Sequence, residues 1–160
     1  MEPENFIVTS DLLASRMQRF LNWLIDGIII GIIDISIIAT VYIVGQMTNN
    51  YNLSDWIRGN IKTPQPIGFF VVGLLYYSIT EIYFERTVAK YITKTLVVMK
   101  DGSRPDKMRI IRRTLYRWIP FEPFTFLNKD ARGWHDTLSR TYVVKKHEFN
   151  NRKGHAPFYG

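Results

Sequence analysis

Apolar and polar positions fall into blocks along this chain. From Phe20 to Gly45 the run FLNWLIDGIIIGIIDISIIATVYIVG is interrupted by strongly polar side chains only at Asn22, Asp26 and Asp34. At about 1.5 Å of rise per residue, a helix of this length exceeds the roughly 30 Å of a bilayer core. Its isoleucines would favour a strand in water. In lipid a segment must satisfy its own backbone hydrogen bonds, so the pattern predicts a helix. A second apolar block, PIGFFVVGLLYYSITEIYF, runs from Pro66 to Phe84 and is just long enough to cross. Pro66 suits a first helical turn, where its missing N–H has no partner to lose. Phe69, Phe70, Tyr83 and Phe84 lie toward the ends, where rings meet headgroups. The expected class is a membrane all-α protein with two transmembrane helices, 20–45 and 66–84, within a single domain of residues 1–160.

Beyond the second block the period changes. Thr95–Lys100 (TLVVMK) and Thr141–Lys146 (TYVVKK) are β-branched and bounded by turn residues, Asp101-Gly102 and Arg104-Pro105 among them. They are predicted to pair as a two-stranded ribbon. Such a ribbon is marginal alone and must lean on helices or a partner. Asp106 is placed to cap a helix running through Ile119. On it Met108, Ile111, Leu115 and Trp118 or Ile119 repeat at helical spacing, and Arg109, Arg112, Arg113 and Arg117 lie off that stripe. This reads as a basic amphipathic helix lying in the membrane interface, with those arginines on anionic headgroups. The alternative is a helix packed on the ribbon with a solvated basic face. Residues 86–144 thus form a small α+β portion. Within it, 115–127 is a proline-broken apolar stretch too short to cross, read as re-entrant or interfacial. The tail, 145–160, is mobile by composition unless it docks on something.

Charge sets the orientation. The chain carries a net +7. The loop 46–65 holds only Arg58 and Lys62 as cations, whereas ten Lys and Arg follow between Arg86 and Arg117, and Arg16 and Arg19 precede the first block. The positive-inside rule places the loop outside and both termini in the cytoplasm. Residues 1–11 lack the basic region of a signal peptide, so the first block is expected to be retained. With no cysteine, disulfides and thiolate metal sites are excluded. His135, His147 and His155 lack ligand spacing, and neither metal nor cofactor is expected. Lipid explains the basic charge without nucleic acid, since no recognised nucleic-acid module is present.

Ionisable groups inside the spans are costly and default to a functional role. Asp34 lies nearest the middle of the first span, Asp26 nearer its cytoplasmic end, and Glu81 near that end of the second. Arg19, Asn22 and Asp26 share a helix face. An Arg19–Asp26 pair within the helix is disfavoured, because helical side chains lean toward the N-terminus. Asp26 is expected either to pair with Arg112, Arg113 or a neighbouring copy's arginine, or to handle protons or cations. Gly27 and Gly31 form a small-xxx-small pair that permits close helix approach. His135-Asp136 has no nucleophile or second carboxylate nearby in sequence, so capping and pairing are expected rather than acid–base chemistry.

Three segments in order carry a family resemblance. Arg19-Phe-Leu-Asn-Trp-Leu-Ile-Asp26 resembles the opening motif of the RDD family of bacterial integral membrane proteins. Thr87-Val-Ala-Lys90, followed by Leu96-Val-Val98 and Asp101-Gly102, resembles its middle motif. His135-Asp136 through Thr141-Tyr-Val-Val144 resembles its closing motif. The resemblance implies that Arg19, Asp26 and Asp136 are the name-giving residues. It implies a bacterial inner-membrane protein, with transport or cation/proton exchange suggested for some members.

Two function classes follow. One is a non-enzymatic accessory or scaffolding subunit packed against other membrane proteins. The other is a transporter or exchanger built from several copies, because two spans cannot enclose a water-filled path.

Overall fold

The computed structural model describes residues 6–49, 67–119 and 132–154, with positions 52, 55, 59 and 125 standing singly between them. A short 3-10 turn (Ser10–Leu12) leads into α1 (Arg16–Met47). Then come α2 (Ile67–Tyr83), α3 (Val88–Ile92), β1 (Thr95–Val98), α4 (Lys107–Tyr116), α5 (Trp134–Ser139), β2 (Tyr142–Lys145) and α6 (Lys146–Lys153). Most of loop 46–65, with Arg58 and Lys62, and Pro66 lie outside the described residues, as do most of 115–127 after Ile119 and the last six residues of the tail.

The first block is helical and longer than its apolar run. Ser15 and Gln18 close a capping box: Ser15 Oγ accepts from the Gln18 N–H (3.2 Å) and Gln18 Oε1 from the Ser15 N–H (2.9 Å). This satisfies two of the N–H groups that a helix start leaves orphaned. Over its 32 residues α1 runs for about 48 Å. Among the described residues it is the one helix long and apolar enough to cross a membrane. Its radial pattern is inverted relative to a helix in water. Phe20, Trp23, Leu24, Ile28, Ile32, Ile35 and Ile43 are exposed, while Arg19, Asn22, Asp26 and Asp34 are buried with Ile30. Apolar solvent selects this arrangement, because there the polar groups have nowhere else to be satisfied. α2 lies antiparallel beside α1: Tyr76 meets Asp26, and Gly68 meets Asp34.

The ribbon forms as expected. β1 and β2 pair antiparallel, with Thr95 opposite Lys145 and Val98 opposite Tyr142. The segment before α1 supplies what it leans on. Val8 N–H donates to Lys100 O (2.8 Å), Ala14 N–H to Val143 O (2.8 Å), and Leu13 bridges Val144. Val8, Leu12, Leu96, Val98, Val144 and Phe149 form one apolar core. The tail therefore differs from expectation over 146–153. It is a helix docked on its own chain, with Phe149 edge-on to Phe6, Lys153 Nζ on Gly102 O, and Arg152 paired with Asp11. Gly102 has φ +73°, and a Cβ there would meet the Phe6 ring at 2.7 Å, so this turn requires glycine.

α4 begins as predicted, with Asp106 Oδ1 accepting from the Arg109 N–H (2.8 Å). One of its faces packs on another helix. It runs antiparallel along α2, burying Ile110, Arg113 and Thr114 and exposing Met108, Ile111 and Leu115. α5 packs in turn along α4.

Candidate functional site

The buried charges meet where α1, α2, α3, α4 and α5 converge. Arg113 is the hub, 1 % exposed. Its Nη1 donates to both oxygens of Glu81 (2.8 Å each), and its Nε and Nη2 donate to Asp136 Oδ1 (3.1 and 2.8 Å). Glu81 also accepts from Arg117 Nη2 (2.9 Å) and is paired with Lys90 Nζ. Arg117 lays its guanidinium over the Tyr77 ring, 3.9 Å from its centroid. Asp136 is in addition paired with Arg19 from the first turn of α1. Planar guanidinium forks suit such bidentate links between carboxylates, and pairing offsets the desolvation of each charge.

Local structure aims these groups. Thr87 caps α3, its hydroxyl accepting from the Lys90 N–H (3.4 Å), which directs Lys90 toward Glu81. Gly133 and Arg140 bound α5, and Arg140 takes the left-handed conformation (φ 54°) that turns the chain into β2. Burial, with Arg113 and Arg117 beside it, pushes the Lys90 ammonium down to about 7, with Glu81 pulling the other way. His135 is buried beside the same cluster. Its Nε2 sits 3.2 Å from Asp136 Oδ1.

Asp26 is not in this ion-pair network. Neither Arg112 nor Arg113 is its partner, which corrects those two of the expected alternatives: its Oδ1 accepts from Tyr76 OH (2.7 Å) and from the Ala89 N–H (3.3 Å). A tyrosine and a helix-start amide satisfy the carboxylate without a second charge. Asn22 bridges Thr93 and Thr95 at the entrance to β1 (2.6 and 3.1 Å). Asp34 stands apart. It is 6 % exposed, its Oδ1 lies 3.1 Å from where a Cβ on Gly68 would stand, and it makes no hydrogen bond or ion pair among the described residues.

One further expectation is corrected. Arg113 and Arg117 do not face headgroups, because the Glu81 and Asp136 carboxylates draw them inward; Arg109 is half-buried on Asp106 and Ser139, and Arg112 is exposed. Among the described residues, a Cβ at Gly27 or Gly31 would meet nothing within 4 Å, so the close approach they permit is left open to a helix outside the described part of this chain. The Arg113 hub was readable in principle: Ile110, Arg113, Thr114 and Arg117 form a helical stripe of their own, and Glu81 in an apolar segment demands cations.

The model of the RDD family matches residues 13–140, which is most of the chain. The chain belongs to the RDD family. Arg19 and Asp136, far apart in sequence but both within the matched region, are partners in one ion pair. Asp26 anchors the start of α3 beside them. Family membership and α1 together make this a membrane protein. Neither the search of curated proteins nor that of solved structures gave a match.

Proposed function

We propose that this RDD protein is a non-enzymatic accessory subunit of the bacterial cytoplasmic (inner) membrane, which packs against other membrane proteins. It crosses the bilayer twice, on α1 and α2, with both termini in the cytoplasm. One observation carries this reading: Glu81, Asp136 and Asp26 are each spent on links between elements of the same chain. Groups so engaged act as fasteners, and none has the open geometry of a general acid or base. The Gly27–Gly31 stretch of α1, against which no described residue packs, is where a neighbouring helix can approach closely. Arg109 and Arg112 remain for anionic headgroups, which account for the basic surface without nucleic acid.

A second reading has one observation in its favour. Asp34, buried in the long helix with no hydrogen-bond donor beside it among the described residues, is the kind of carboxyl that ion-coupled transport uses. It would make the protein an oligomeric transporter or cation/proton exchanger.

Tagged protein extracted into lipid nanodiscs and weighed as the intact complex separates the two. The subunit reading expects a different membrane polypeptide at fixed stoichiometry, lost when Gly27→Leu and Gly31→Leu are combined. A pure homo-oligomer, with proteoliposome ion flux that Asp34→Asn abolishes, would replace it with the transport reading.

A further inference from the structure

Contacts along α4 climb α2 in register. Ile110 shares a small cavity with Glu81 and Glu85, near the C-terminal end of α2. Arg113 reaches Glu81, and Arg117 covers Tyr77. Trp118, just past α4, lies edge-on to Phe70 (centroids 4.7 Å apart) and Phe69 (6.0 Å), and its ring would be 2.5 Å from a Cβ on Gly73. Gly73 stands ten residues from the end of α2 at Tyr83, about 15 Å along the helix. That is about half the thickness of a bilayer core. α5 retraces the path, since Asp136 pairs with Arg113 and Ser139 O accepts from Arg109 further back. Both ends of the excursion return to the ribbon, α4 following β1 and α5 leading into β2.

We infer that α4, Trp118 and α5 form the arms of a re-entrant hairpin, inserted beside α2 from the ribbon side, whose outward partner is the acyl chains of that leaflet. The surface fits this partner. Met108, Ile111 and Leu115 on α4 and Trp134 and Leu138 on α5 are exposed, as are Phe70, Leu75 and Ile79 on α2. The arm is inside out, as α1 is, with Arg113 and Thr114 buried and apolar residues facing away. The two arginines carried deepest are paired with carboxylates, Arg113 with Glu81 and Asp136 and Arg117 with Glu81. Lys107 and Arg112 sit in the first two turns, where long stems let the charges snorkel to headgroups. The inference rests on the membrane-spanning reading of α1 and α2 and adds a third inserted segment to it.

The chain has no cysteine, so single labels can be placed cleanly. Nitroxides on Met108→Cys, Ile111→Cys and Leu115→Cys, all outward positions, are compared in nanodiscs with a reference at Ile35→Cys on α1. Collision with oxygen against a water-soluble nickel chelate reads depth. The hairpin predicts depth increasing from 108 through 111 to 115, with 115 oxygen-rich and shielded from nickel. Equal shallow depth at all three, with Ile35 deep, would overturn the hairpin and leave the spans standing. A nickel-accessible Ile35 would remove the spans and the hairpin with them. Spin–spin broadening at 115 would put a second copy in place of lipid and overturn the assignment of the partner.

Discussion

Arg113 holds two carboxylates that arrive from distant parts of the chain, Glu81 from α2 and Asp136 from α5. Removing the cation leaves both acids short of a partner in a buried site, which typically costs about 3–5 kcal/mol. Arg113→Met is therefore expected to lower the unfolding midpoint in detergent far more than Arg112→Met, whose side chain is exposed. Equal effects, measured by tryptophan fluorescence on titration with a denaturing detergent, would contradict the hub. Lys90 gives a pH signature. Its ammonium loses its proton at about 7 when folded and at the ordinary 10.5 when unfolded. Between those values the unfolded chain binds more protons, so this group makes stability rise with pH from about 7 to 10.5; below 7 the cost of burying the charge is present in full. Glu81 from α2, Arg113 and Arg117 from α4 and Asp26 from α1 set that balance. Lys90→Met is expected to flatten the rise of the midpoint between pH 7 and 10, and an unchanged slope would assign it to other groups. At this scale the sequence showed which charges were costly but not their partners. The partner of Asp26 was not legible because the tyrosine that satisfies it lies on another helix, 50 positions away.

Elements were more legible than partners. The apolar blocks and caps located α1, α2 and the start of α4, and β-branched runs located both strands. The direction of α4 was not legible, because its stripe of Met108, Ile111 and Leu115 suits a helix lying flat on lipid as well as one standing in it. Trp118 against Gly73 fixes its direction relative to α2, and a sequence pattern does not report contacts of that kind. The contact is tight enough to test. Gly73→Ala would push a methyl into the indole ring, and overpacking of this kind costs roughly 1–3 kcal/mol. Shortening the ring by Trp118→Leu in the same chain is expected to recover most of that loss. A double variant no more stable than the sum of the single changes would mean the two side chains do not meet.

Across the whole molecule two solvents are at work. The ribbon, the N-terminal segment and α6 bury an ordinary apolar core around Val98, Val144 and Phe149. The helices do the reverse, burying Arg19, Asp26, Asp34, Glu81, Arg113 and Asp136 beneath a shell of isoleucine and aromatic residues. The core on the N-terminal segment was not foreseen, because residues 6–14 carry no strong period and act through single backbone bonds to the ribbon. Inversion of the helical part is the claim on which the network, the hairpin and the proposed partner all depend, and extraction of membranes with alkaline carbonate followed by flotation tests it most directly. The protein is expected to remain with the floating lipid, as an integral protein does. Recovery of folded, monomeric protein in the aqueous fraction without amphiphile would contradict the account.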